Sequence, residues 1–139
     1  MNQTSDEKLT KRHRTEIQVR WDEMDANQHV NNKVYQSYFD EARVQAMCEK
    51  GVNFAALRSR HIGPVITRTE IDYKHPLHHP DIAVVESWLE NIGKFRSEFV
   101  QSLTRKSDGK VVCEARTFWT FMNLERMRPV ALGEVLNAG

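Results

Sequence analysis

Asp25-Ala26-Asn27-Gln28-His29-Val30-Asn31-Asn32 is the stretch on which the reading of this chain turns. It sets a carboxylate, amides and an imidazole into a loop. Val19-Arg20-Trp21 before it reads as strand, and Tyr35, Tyr38, Phe39, Ala42 and Ala46 after it recur at helical spacing as one apolar stripe. The polar loop therefore sits at a strand-to-helix junction. A helix start adds unpaired backbone N–H groups and the positive end of a dipole. A carboxylate beside backbone donors aimed at a shared point suits acyl transfer. One group attacks or activates water, and the donors hold the developing oxyanion.

Working outward, the pattern predicts a first strand over about Glu16–Asp22 and a helix from about Asn32 to Lys50. Asn31 or Asn32 is its N-cap and Gly51 its stop. Asn53–Arg58 reads as a short helical turn. Further strands are expected at Ile66–Lys74 and Ile82–Asn91, then around Phe95, Phe99 and Leu103, and at Val111–Asn123. The two prolines of His75–Pro80 mark a loop, and Ser107-Asp108-Gly109-Lys110 a hairpin. One helix against five mostly antiparallel strands is an α+β arrangement. Wrapping the sheet around the helix is the economical way to cover both. Open sheet edges would remain, and pairing two copies edge to edge would satisfy them, so a homodimer or a dimer-of-dimers tetramer is expected.

At 139 residues the chain reads as one domain over residues 15–139, with 1–14 a polar, disordered leader rather than a secretory signal. Twenty basic against 19 acidic residues argue against a nucleic-acid platform. No apolar run is long enough to span a membrane. Cys48 and Cys113 suggest no disulfide framework, which fits a reducing cytoplasm. His75, His78 and His79 invite a metal reading, but Pro76 and Pro80 keep them off one helical face and nothing completes a zinc spacing. Neither metal nor cofactor is expected.

Trp21–Asn32, followed by Tyr35, Tyr38 and Glu41-Ala42-Arg43, resembles the signature of hotdog-fold thioesterases. It is similar to the 4-hydroxybenzoyl-CoA thioesterase branch, in which an Asp is followed by a short loop and a helix with an aromatic ten residues on, here Asp25 and Tyr35. The Asp-x-Asn-x-His-x-Asn-Asn wording also resembles plant acyl-ACP thioesterases. The resemblance extends from about Ile17 to Pro129 and implies a hotdog fold, a sheet wrapped around one long helix. It further implies hydrolysis of an acyl-CoA or acyl-ACP thioester without cofactor.

Carried over residue by residue, Asp25 becomes the catalytic carboxylate, as nucleophile or as base toward water. Read plainly, it caps a turn. Asn27 and His29 match site residues of the acyl-ACP enzymes, whereas the 4-hydroxybenzoyl-CoA branch has an apolar residue at the His29 position. A left-handed turn and a solvated histidine are the plainer readings. Asn32, seventh after the Asp, would offer its main-chain N–H to the thioester carbonyl, although Asn is also an ordinary N-cap. Tyr35, Arg60, Arg68, Lys94 and Arg96 are candidate substrate contacts, the basic ones toward coenzyme A phosphates at a subunit boundary. Arg105, Arg126 and Arg128 are candidates of the same kind. Glu41 and Arg43 read as structural pairing and Glu70 as outward-facing. A non-catalytic acyl-thioester binder on the same scaffold is the reading from another class, since fold alone does not settle function.

Overall fold

The computed structural model describes residues 9–136. Its elements in chain order are β1 (His13–Gln18), a 3-10 turn (Trp21–Glu23), α1 (Asn32–Glu49), α2 (Phe54–Ser59), β2 (Ile62–Tyr73), β3 (Ile82–Glu90), β4 (Arg96–Arg105), β5 (Val111–Asn123), β6 (Arg128–Val130) and α3 (Leu132–Leu136). The antiparallel sheet runs β1-β3-β4-β5-β2, with β6 added to β5. It is the expected α+β arrangement of a sheet and one long helix.

The helix forms where the apolar stripe predicts. The Asn31 side chain caps it by accepting from Lys33 N. Tyr35, Tyr38, Phe39, Ala42, Ala46 and Met47 are its buried face. It ends at Glu49 with Lys50 as C-cap, and Gly51 follows with a φ of 98°, in the left-handed region that glycine supplies without steric cost. Strands β3, β4 and β5 alternate as half-buried strands should, turning Ala83, Val85, Leu89, Phe99, Leu103, Ala115, Trp119 and Phe121 inward. Gly109, with φ of 75°, turns the β4–β5 hairpin, and Arg105 N–H donates to Lys110 O across it at 3.0 Å.

The core falls into two apolar clusters along α1. One gathers around Tyr35, Tyr38 and Phe39 at the helix start. The other gathers around Met47, Phe99, Trp119 and Phe121 toward its end. Between them lies a polar seam. Ser87 and Gln101 face each other across β3 and β4, and both are wholly buried, as is Thr117 on β5. Gln101 Nε2 donates to Ser87 Oγ at 3.0 Å and to Phe39 O of α1 at 2.9 Å. Arg43 Nη1 donates to Gln101 Oε1 and to Thr117 Oγ1, each at 3.3 Å. The seam satisfies its own buried polar groups and pins the helix to the sheet.

Several expectations need correction. The first strand begins at His13 and stops at Gln18. Glu23 N–H donates to Arg20 O at 3.1 Å, and its carboxylate accepts from Arg20 N at 2.7 Å, so the chain coils at Trp21 instead of extending to Asp22. Residues 9–14 are also not a loose leader: Leu9 is in the core, and His13 and Arg14 pair with Ser87 and Glu86. The remainder of that leader, residues 1–8, lies outside the described residues. Strand β2 starts four residues earlier than expected, because Ile62–Val65 pair with β5. Strand β6 and helix α3 had no sequence signal.

Candidate functional site

The loop between the 3-10 turn and α1 is closed at its neck by a bridge between Met24 and Val30. Inside it, Asp25 N–H donates to His29 O at 2.8 Å and Gln28 N–H to Asp25 O at 3.0 Å. Gln28 sits at φ 62°, in the left-handed region. The Asp25 carboxylate organises the turn it stands in. Its Oδ1 accepts from Asn27 N at 2.8 Å and from His29 N at 3.2 Å. Its Oδ2 receives no hydrogen bond from the described residues. The turn-cap and reactive readings of Asp25 are thus compatible, one oxygen serving each.

Helix α1 begins one residue after its cap. Asn31 caps it and Asn32 is its first residue, and the Asn32 main-chain N–H finds no acceptor among the described residues. It is one of the orphan donors that every helix start leaves. Asp25, Asn27, His29, Asn32 and Tyr35, all expected at the site, line one open cleft of about 420 Å3. Tyr73, Lys74, His75 and Pro76, from the end of β2 and the loop after it, complete its wall.

Sequence reading did not place those four residues here. The loop that carries them is tied to the Asp25 loop by Val30 N–H donating to Leu77 O at 2.8 Å and by a 2.9 Å bond between His78 Nδ1 and Gln28 O. Arg105 Nη1 holds the same loop by donating to Pro76 O at 2.7 Å. The two prolines signalled a loop, but nothing local signalled its partner.

Tyr35 is buried beneath the cleft, tilted against Tyr73 at 5.5 Å and edge-on to Tyr38 at 6.3 Å. Burial, with help from the nearby Cys113 thiol and Asp25 carboxylate, pushes its hydroxyl up to about 12. Tyr38 donates to Glu23 Oε1 at 2.7 Å, and burial and that bond hold its proton more tightly still. Both hydroxyls therefore remain donors. The His29 ring lies edge-on to His78 at 4.8 Å.

The basic candidates stand elsewhere on the protomer. Arg60 pairs with Glu134 at 2.9 Å, and Arg68 pairs with Glu70 at 3.2 Å with its guanidinium over Phe118. Lys94 lies over the Phe95 ring, and Arg96 is exposed at the start of β4. None of the four lines the Asp25 cleft of its own protomer. Among the described residues no group of three or more His, Cys, Asp or Glu could hold a metal ion. No helix there is long and apolar enough to cross a membrane.

A second, apolar cavity of about 260 Å3 lies between α1, α2 and the Ile62 end of β2. Arg43, Val44, Met47, Phe54, Ile66 and Trp119 are among its walls.

The sequence profile of the thioesterase-like superfamily matches residues 19–139. The chain belongs to that superfamily. Among its relatives, the long-chain acyl-CoA thioesterase FadM of Escherichia coli is 28% identical over 118 residues, 85% of this chain and 89% of FadM. The structure of PA2801, a putative thioesterase from Pseudomonas aeruginosa, superposes with a TM-score of 0.79 at 28% identity, over 86% of this chain and 91% of that one. A DHNA-CoA thioesterase from Staphylococcus aureus reaches a TM-score of 0.82 at 21% identity, over 88% of this chain and 82% of that one, and shares the fold. The Asp25 loop and all of α1 lie within the segment that places this chain in the thioesterase-like superfamily.

Proposed function

We propose that the protein is an acyl-CoA thioesterase, and that Asp25 is its catalytic carboxylate. The observation that carries this is the convergence of the Asp25 carboxylate and the unpartnered Asn32 N–H on one cleft at the start of α1. A thiolate leaves readily, so one carboxylate and one oxyanion donor are enough chemistry. Asp25 Oδ2 attacks the thioester carbonyl or deprotonates a water that does, while the Asn32 N–H takes the developing charge. Asn27 and His29 contribute their main-chain N–H groups, which hold Asp25 Oδ1 and so aim the carboxylate. The affinity with the 4-hydroxybenzoyl-CoA branch, and action in the cytoplasm, form part of this proposal.

The working unit is a dimer. β2 ends the sheet, and its outer edge is open over 12 residues, with Ile66 and Tyr73 about half exposed. Such an edge invites pairing with another chain. Antiparallel pairing about a twofold axis sets the Ile66 end of one β2 against the Tyr73 end of the other. The apolar cavity of one protomer then adjoins the Asp25 cleft of its partner. Arg60, Lys94 and Arg96 come toward that cleft as well, where they can meet coenzyme A phosphates. A carrier-protein thioester is the second reading. It is favoured by the Asn27 and His29 side chains at the cleft and by the further cations Arg126 and Arg128, which lie by the Ile62 end of β2.

Release of free thiol across a panel of acyl-CoA and acyl-ACP substrates, run beside light scattering, tests the thioesterase reading, the choice between coenzyme A and carrier protein, and the dimer. Turnover of acyl-CoA by a dimer is expected. A folded protein that releases no thiol from any member is a binder and not an enzyme.

A further inference from the structure

Glu23 stands two residues before Asp25, and three pieces of structure meet on it. Its main-chain carbonyl accepts at 3.0 Å from the N–H of Asn31, the residue that caps α1. Its carboxylate Oε1 accepts from Arg20 N at 2.7 Å, which closes the 3-10 turn, and from the Tyr38 hydroxyl at 2.7 Å. Tyr38 lies about two turns into α1. Helical side chains lean back toward the N-terminus, so its hydroxyl arrives opposite the cap. The Tyr38 residue is 3% exposed and edge-on to Tyr35, in the cluster that fills the helix start. Burial, then the bond to Glu23, tightens its hold on the proton, so it serves as donor and Glu23 as acceptor. Neither residue lines the Asp25 cleft.

The two reactive groups of the cleft depart from this point. Asp25 follows Glu23 by two residues, and Asn32 follows Asn31 by one. The bonds from Asn27 N and His29 N to Asp25 Oδ1 fix the carboxylate within its loop. They do not fix the loop against α1. The Met24–Val30 bridge closes the neck, and the Glu23 carbonyl holds the helix cap. Helix ends fray, so a tie at the cap alone is loose. Among the described residues, the hydrogen bond that carries the incoming arm past the cap into α1 is the one between Glu23 and Tyr38. A reactive constellation works only when held to within about 0.5 Å, so this tie bears on the rate.

We propose that Glu23 is a positioning residue: held by the Tyr38 hydroxyl and by Asn31 N–H, it sets the distance between Asp25 Oδ2 and the Asn32 N–H. This rests on the thioesterase reading above and deepens it. Glu23 touches no reacting atom and takes no part in bond cleavage. What the site needs from it is an acceptor oxygen at Oε1, and its negative charge is dispensable.

Tyr38→Phe tests it, because it keeps the buried ring and deletes the bond. The substrate is the best of a panel running from acetyl-CoA to palmitoyl-CoA with benzoyl-CoA. Its kcat should fall about tenfold or more, toward the roughly hundredfold cost of a misplacement on the order of 1 Å. KM and the melting temperature should stay near wild type. Glu23→Gln offers the same oxygen to Tyr38 and Arg20 N and should retain kcat, whereas Glu23→Ala should lose it as Tyr38→Phe does. In an Asp25→Asn background Tyr38→Phe should lower the residual rate no further, because no carboxylate remains to be aimed. A merely structural bond would lower both backgrounds alike. Unchanged kcat in folded Tyr38→Phe, or equal losses in the two backgrounds, overturns the inference. A loss in Glu23→Gln as large as in Glu23→Ala makes the charge the agent and overturns it as well. Amide hydrogen exchange reads the same tie without turnover. The Asn31 and His29 amides should exchange faster in Tyr38→Phe while the Ala42 amide is unchanged. If wild type releases no thiol from any thioester, the thioesterase reading falls. The tie is then judged by exchange, and equal protection of Asn31 and His29 in the two proteins overturns it.

Discussion

The two ends of α1 are built on opposite plans. At its start the chain invests in main-chain geometry. A closed loop, an Asp carboxylate bonded to two amides and a free helix N–H surround an open, mostly polar cleft. At its far end Met47, Phe54, Phe99 and Trp119 wall a mostly apolar cavity, with the Asp40–Arg43 ion pair on its wall and a buried Trp119 indole N–H that has no partner among the described residues. The buried aromatics follow the same division. Tyr35 and Tyr38 lie at the cleft end, and Phe99, Trp119 and Phe121 at the other. The Ser87–Gln101–Thr117 seam separates them. Chemistry on a thioester needs the first plan and recognition of an acyl group needs the second. A single helix contributes to both, with Asn32 at one and Asp40 at the other about 12 Å along its axis at 1.5 Å per residue. In the proposed dimer the cavity of one protomer adjoins the cleft of its partner.

The largest effect should come from breaking the cleft alone. Asp25→Asn keeps the shape and the Oδ1 acceptor, so the loop and the melting temperature should survive. Turnover should fall by about 10²–10⁴, the scale for losing a positioned acid–base or nucleophilic group. Near-normal thiol release by the folded variant would separate the cleft from the chemistry and remove the assignment.

The cavity end should fail in the opposite way. Phe99 is wholly buried and packs against Trp119 at 5.8 Å between ring centres. Phe99→Ala should cost about 3–5 kcal/mol of stability by denaturant unfolding, because a large buried ring leaves a cavity that its neighbours only partly fill. The turnover number of the remaining folded enzyme should change far less than in Asp25→Asn. A stable Phe99→Ala variant with crippled kcat would mean the two ends are not separable.

The titration of the tyrosines sharpens the contrast from another side. The chain has three. Burial raises Tyr73, pushes Tyr35 up to about 12, and with the bond to Glu23 raises Tyr38 further. A folded-state value above the unfolded one, roughly 10, means the associated stability is complete below that pH and is lost as pH rises toward 12. Tyrosinate absorbance should therefore stay low at pH 10 in the folded protein and appear together with unfolding at higher pH. Independent ionisation near 10, with circular dichroism unchanged, would show that the cleft end is not packed as described.

Much of this plan was legible in the sequence, for reasons that differ by region. Helix α1 announced itself because Tyr35, Tyr38, Phe39, Ala42 and Ala46 share a face and Asn31 and Gly51 bracket it, all local signals. Strand β5 was placed at Val111–Asn123 as observed, since a glycine turn precedes it and its inward residues alternate. The Asp25 cleft was legible through family resemblance more than through periodicity. What stayed hidden depends on partners far along the chain. Gln101 reads as a polar residue on a strand, and only the approach of Phe39 O and Ser87 makes it buried. Arg43 was read as structural pairing, and the cavity it also lines is assembled from five elements, α1, α2, β2, β4 and β5. The short β6 exists because Phe121–Asn123 offer it a ladder, which Arg128–Val130 do not reveal alone.

The smallest effect expected, and the most informative about mechanism, is that of His29→Ala. The geometry separates what His29 does as backbone from what it does as a side chain. Its N–H donates to Asp25 Oδ1 at 3.2 Å, and its carbonyl accepts from Asp25 N–H at 2.8 Å. Alanine retains both. The imidazole is in edge contact with His78, and its ring nitrogens bond no described residue. The loop that aims Asp25 should therefore persist without the ring. KM should rise a few-fold while the single-turnover rate at saturating substrate stays close to wild type. If the ring polarised water or the carbonyl, that rate would instead fall by about a hundredfold or more. Measuring it beside Asp25→Asn decides the matter. Equal losses in the two variants would make His29 a partner in the chemistry and shift the mechanism toward the acyl-ACP thioesterase pattern. A small loss leaves Asp25 and the helix N–H as the whole reactive centre.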